Sequence, residues 1–236
     1  MNLKIENVST TSIALSWSKP NGKFSSYFIQ ILQKPNFTKN VTTTSVIIES
    51  LTPGNYYTFL VFLVTANNVA GQSNLISAYT IPEVVKNLNT ENITTTSISL
   101  SWEKPDGNAS VYFIQILGEP SFNSSVTTTF EIIEGLTPGN YYTFLVSAFV
   151  DNIQGSSSVI SNYTKPDVVG NLMVQKTYTT AVLLSWEKPA GNADFYVIKI
   201  QENTTYQEKT NATSFMIQYL TPGNYYTFLV TAIVGT

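Results

Sequence analysis

The block LTPGNYYTFLV occurs three times without a change, at Leu51–Val61, Leu136–Val146 and Leu220–Val230. Each copy follows a tryptophan by 34 residues, and those tryptophans, Trp17, Trp102 and Trp186, lie 85 and 84 residues apart. A period of that length is one small domain rather than one turn of a solenoid. Pro82 and Pro166 both stand 20 residues before the next tryptophan and mark the linkers, which divides the chain into units 1–81, 82–165 and 166–236. The extra residue of the first unit is assigned to the loop Asn67–Ser73, because an exposed connection absorbs an insertion cheaply.

Within each unit the apolar period is two. Ile13 and Leu15 alternate with Ala14 and Ser16; Tyr27, Ile29 and Ile31 with Phe28 and Gln30; Tyr57, Phe59 and Val61 with Thr58 and Leu60. Turn chemistry separates these runs: KPNG from Lys19, KPDG from Lys104, KPAG from Lys188, and the Pro-Gly pairs at Pro53, Pro138 and Pro222. Seven short strands per unit and no helical period predict an all-β chain of tandem immunoglobulin-like sandwiches. The third unit departs from this. Thr231–Val234 aligns with Ser147–Val150, and nothing follows that corresponds to Ser156–Tyr163, so its last strand is missing. An open sheet edge is expected there, either frayed or filled by a borrowed strand.

A tryptophan ending the second strand, a Y-x-I-x-I run ten residues later and L-T-P-G-x-x-Y-T-F-x-V together resemble the fibronectin type III family across nearly the whole chain. The resemblance implies that Trp17, Trp102 and Trp186 lie in the cores. It also implies that Tyr57, Tyr142 and Tyr226 are tyrosine corners, each hydroxyl bonded to backbone upstream. The stretch NLNTENITTTSISLSWEKPDGN from Asn87 is similar to the Thr- and Asn-rich arrays in ectodomains of receptor-type tyrosine phosphatases. That narrower likeness implies a phosphatase domain elsewhere in a parent protein, since its signature needs Cys and Arg, both absent here.

Composition excludes several function classes. Charged residues are 11% of the chain, so polarity rests on 55 Ser and Thr and 22 Asn, a surface common on secreted proteins. All twelve basic residues are lysines and the net charge is −3, which leaves no stripe for nucleic acid. With no Cys there is no disulfide frame or thiolate metal site. No run is long enough to insert into a membrane, and Met1 opens directly on Asn2 without a signal-like stretch, so the chain is expected to be a fragment of something longer.

Catalysis is unexpected without His, Cys or Arg. Glu103, Asp106 and Glu187 flank turns and read as solvated charges rather than as a hydrolase pair. Asp151 with Asn152, and Asp106 with Asn108, lack the run of oxygen ligands that calcium demands. No catalytic, cofactor or metal residue is therefore assigned. Nor is there an Arg-Gly-Asp motif for integrins, the relevant loops reading NNVAGQS and DNIQGSS.

Two sets of surface residues remain. Nine asparagines satisfy N-x-S/T: Asn7, Asn36, Asn40, Asn92, Asn108, Asn123, Asn162, Asn203 and Asn211, all expected in turns, edges or linkers and as glycan acceptors on a secretory route. The outward side of the sheet that carries Tyr57 is the candidate interface, with Phe28, Leu32, Leu60 and Phe62 in the first unit. The second unit offers Phe113, Leu117, Leu145 and Ser147 there, and the third Val197, Gln201, Leu229 and Thr231. The expected function is an extracellular, cell-surface, non-catalytic adhesion segment with a protein ligand or self-association as partner, spanning on the order of 100 Å as a semi-rigid rod. The alternatives are a passive ectodomain spacer and an accessory module of a secreted microbial enzyme.

Overall fold

The computed structural model describes residues 1–21, 24–65 and 70–235, with Ala70 as backbone only. In the first unit run β1 (Leu3–Val8), β2 (Ile13–Trp17), β3 (Ser26–Ile31), β4 (Lys34–Val41), β5 (Ser45–Ile48), β6 (Tyr56–Val64) and β7 (Ala70–Tyr79). They make two antiparallel sheets, β1-β2-β5 and β4-β3-β6-β7. The second unit repeats the plan with β8 (Lys86–Glu91), β9 (Ile98–Glu103), β10 (Val111–Ile116), β11 (Glu119–Val126), β12 (Phe130–Ile133), β13 (Tyr141–Val150) and β14 (Ile153–Tyr163). Its sheets are β12-β9-β8 and β11-β10-β13-β14. The third has β15 (Gly170–Thr177), β16 (Val182–Glu187), β17 (Phe195–Ile200), β18 (Asn203–Thr210), β19 (Ser214–Ile217) and β20 (Phe228–Ile233), in sheets β15-β16-β19 and β18-β17-β20.

Alternation decides what is inside. In the first unit Ile13, Leu15 and Trp17 from one sheet meet Tyr27, Ile29, Ile31, Tyr57, Phe59 and Val61 from the other, all buried. Each such side chain contributes roughly 1.5–3 kcal/mol by leaving water. Separate clusters around Trp102 and Trp186 repeat the arrangement, which makes three cores among the described residues. Each tryptophan stands edge-on to the tyrosine of the next strand: Trp17 to Tyr27 at 5.0 Å, Trp102 to Tyr112 at 5.4 Å, Trp186 to Tyr196 at 5.3 Å.

The corners close in all three units. The hydroxyls of Tyr57, Tyr142 and Tyr226 accept the backbone N–H of Thr52, Thr137 and Thr221, each at 2.9 Å. Burial works to raise the Tyr57 phenol, but the bond from Thr52 and the nearby Lys34 ammonium outweigh it and hold the group below its usual value. Tyr226 is only half-buried. Among the described residues β20 is the edge of its sheet, and it starts at Phe228, three residues later than β6 and β13 start in the aligned block. Tyr225 is consequently 85% exposed, against 47% for its counterpart Tyr56.

The extra residue of the first unit falls between Phe62 and Ser73, which pair with each other, whereas Ser147 pairs with Ser157, one residue closer. Residues 66–69 of that loop lie outside the described residues.

Tyr112 differs from the corner tyrosines because its buried hydroxyl has no hydrogen-bond partner among the described residues, and burial pushes its pKa above the ordinary 10.0. A phenol raised on folding gives stability that is complete below the unfolded pKa and is lost as pH climbs through the folded one. Tyr112→Phe is expected to flatten the loss of second-unit stability above pH 10.0, read from urea midpoints between pH 8 and 11.

Candidate interaction surfaces

The four-stranded sheets turn an apolar ladder outward. Across β3 and β6, Phe28 pairs with Phe62, ring centroids 6.1 Å apart, and Leu60 pairs with Leu75 of β7. In the second unit Leu145 pairs with Val159, while Phe113 packs edge-on to Phe149 at 5.8 Å. Phe113, Phe149, Ser110, Asp151 and Asn152 line an open groove of about 500 Å³. The phenylalanines, Leu60 and Leu145 are half-buried by one another. Leu75 at 60% and Val159 at 61% are its exposed members, and Leu32 at 57% and Leu117 at 67% stand exposed in the turns after β3 and β10.

Two of the expected outward residues are covered. Ser147 is buried because Gln154 reaches over it, Nε2 to Oγ at 3.0 Å, beside the bond to Ser157. Val197 is buried between its ladder neighbours Lys209 and Thr231 and lies outside the third core. Gln201, Leu229 and Thr231 are exposed. The ladder also holds pairs that reading single strands missed, Tyr56 on Tyr79 at 5.0 Å and Tyr141 on Tyr163 at 4.8 Å. Their one signal is a tyrosine at the same place in both units.

A second surface joins the units. The Pro53–Asn55 turn before β6 meets the Asp106–Asn108 turn before β10. Asn108 N–H donates to the Pro53 carbonyl at 3.0 Å, and its Nδ2 donates to Asn55 Oδ1. Gly54 at φ +65° and Gly107 at φ +79° let the two backbones touch. A Cβ on Gly54 would strike the Asn108 carbonyl oxygen, and one on Gly107 the Pro53 carbonyl oxygen. No rotamer change relieves a clash with backbone.

The joint between the second and third units has the same parts. Asn192 N–H donates to the Pro138 carbonyl at 3.0 Å and Asn192 Nδ2 to Asn140 Oδ1, while Gly139 and Gly191 face the carbonyls of Asn192 and Pro138. Each linker is also tied to the turn. The fully buried Thr80 donates to the Thr52 carbonyl at 2.7 Å and accepts Asn55 N–H at 3.0 Å; Thr164 does the same with Thr137 and Asn140. Gly223, the third copy of the turn glycine, has nothing within 4 Å of where a Cβ would stand.

The asparagine sequons divide by what their amides do. Asn7, Asn36, Asn40, Asn92, Asn123, Asn203 and Asn211 are exposed on edge strands or turns. Asn108 is exposed but engaged in the first joint. Asn162 lies on the edge strand β14, yet its side chain turns inward: Nδ2 donates to Thr90 Oγ1 at 3.0 Å and Oδ1 accepts Tyr163 N–H at 2.8 Å. Among the described residues no three His, Cys, Asp or Glu cluster, and Asp106 pairs with Lys86 at 2.7 Å.

The model of the Fibronectin type III domain matches residues 1–79, 82–163 and 166–236. The chain belongs to the fibronectin type III family. These matches leave only residues 80–81 and 164–165 between them. It is 33% identical over 246 residues to receptor-type tyrosine-protein phosphatase eta of Gallus gallus, covering 99% of this chain and 17% of that protein. To receptor-type tyrosine-protein phosphatase H of Homo sapiens it is 32% identical, covering 96% of this chain and 22% of the relative. The chain thus spans about a fifth of the length of these relatives. A two-domain fibronectin type III segment of chicken tenascin superposes with a TM-score of 0.54 at 20% identity, over 69% of this chain and 98% of that one, a likeness of fold.

Proposed function

We propose that this chain is an extracellular, non-catalytic binding segment of a cell-surface receptor, a semi-rigid array of fibronectin type III domains bounded at 1–81, 82–165 and 166–236. A phosphatase domain in the parent, outside this segment, belongs to the same reading, which the similarity to receptor-type phosphatases supports. The observation that carries it is the set of exposed aliphatic groups at matching places in two successive units, Leu75 and Val159 on β7 and β14 and Leu32 and Leu117 in the turns after β3 and β10. Apolar groups gathered this way mark contact surfaces on soluble domains. The occupant is a protein ligand or a second copy, with glycans on the exposed sequons that take no part in a joint.

One observation favours a passive spacer instead. Asn40 pairs with Phe28 across β3 and β4, so a glycan there would flank the apolar face of the first unit. Sedimentation velocity and binding of the labelled chain to cell surfaces separate the two. Leu32→Ser with Leu75→Ser is expected to lower either signal about tenfold while unfolding shifts by no more than about 0.5 kcal/mol. Association unaltered by the pair, or none in the parent chain, removes the binding reading.

A further inference from the structure

We propose that the Pro-x-Gly-Asn turn is an address, and that Asn108 and Asn192 decide which fibronectin type III unit docks rigidly on the one before it. The accepting turn cannot discriminate, because Leu-Thr-Pro-Gly-Asn is identical at Leu51–Asn55, Leu136–Asn140 and Leu220–Asn224. Selection therefore lies on the entering turn, where the units differ. It reads Pro-Asp-Gly-Asn from Pro105 and Pro-Ala-Gly-Asn from Pro189, but Pro-Asn-Gly-Lys from Pro20.

The variable second residue takes no part. Asp106 turns its carboxylate to Lys86 within its own unit, and Ala190 has no polar group to offer. The glycine and the asparagine are the shared elements, and both are used at both joints. Neither Asn108 nor Asn192 makes another side-chain hydrogen bond among the described residues, so their amides serve the joint and not the local fold. Side-chain length sets the rule. Where the Asn108 carbonyl already touches Gly54, only a donor one carbon from the backbone fits against Asn55 Oδ1. A lysine holds its ammonium at the end of a flexible four-carbon stem, carries a charge that prefers water, and brings no amide. A unit that carried the sequence Pro-Asn-Gly-Lys at this place would thus follow its predecessor loosely, while one with the second or third unit's turn follows it stiffly.

The test writes the lysine of the first unit's Pro-Asn-Gly-Lys sequence into the second unit, in the full chain. Because the protein has no cysteine, nitroxide pairs can be placed at the exposed, equivalent positions Glu49, Glu134 and Gln218. Electron–electron resonance then gives one distance distribution per joint. Asn108→Lys is expected to shift the first joint's closed-to-open ratio about fivefold toward open, the worth of one net hydrogen bond, and to leave Glu134–Gln218 alone. Asp106→Asn is expected to leave both distributions alone. Asn108→Ala, which adds no bulk or charge, repeats the reading should the lysine disturb the second unit's melting. A first joint as narrow in Asn108→Lys and Asn108→Ala as in the parent, or one equally broadened by Asp106→Asn, overturns the proposal.

Discussion

Trp102→Ala is expected to unfold the middle unit in urea while the first and third units remain folded. Trp102 is buried between its edge-on contact with Tyr112 and the side chains of both sheets. Truncating an aromatic of that size in a core costs about 3–5 kcal/mol, the lost transfer energy plus the cavity left behind. A domain of some 84 residues has only about 4–12 kcal/mol in hand. With a slope near 2 kcal/mol per molar, the midpoint of the second unit should fall by on the order of 2 M. Hydrogen exchange read on peptides from each unit assigns the transition, and retention of second-unit protection at the parent midpoint would be the contrary result. The three cores are separate clusters, which is why the damage stays in one unit.

The second large effect is geometric. Gly139→Ala and Gly223→Ala place alanine at φ +68° and φ +78°, so both carry the same left-handed backbone cost of roughly 1–2 kcal/mol. Only the first puts its Cβ into another unit, against the Asn192 carbonyl oxygen. Gly139→Ala is therefore expected to part the second and third units, broadening the Glu134–Gln218 distance distribution. Gly223→Ala should lower third-unit stability and leave that distribution narrow. Equal broadening by both would mean that strain in the turn, and not contact across it, governs the joint.

What could be read from sequence follows from how local each feature is. The strand period places Ile13, Leu15, Trp17, Tyr27, Ile29 and Ile31 inward because a residue's face depends only on its neighbours along one strand. Coverage on the outward face does not. Ser147 is hidden by Gln154, which reaches it only after a bulge between Ser147 and Phe149 shifts the hairpin register. Asn162 turns inward to Thr90 because its place on β14 is set by pairing with Tyr142, not by its sequon. The joints were out of reach for a stronger form of the same reason. A Pro-Gly-Asn turn announces a positive φ but not what it touches, and Asn55 and Asn108 are 53 residues apart with no pattern linking them. The surplus identity of the turn across three units was the one available hint.

On this reading two joints built from the same turn-to-turn contacts hold the three sandwiches in fixed relation. Nitroxides at Glu49 and Gln218 of the otherwise unaltered chain span both joints at once. One narrow distance peak is expected, unchanged between low and high salt because the joint contacts are neutral amides and backbone. A broad, featureless distribution would contradict it.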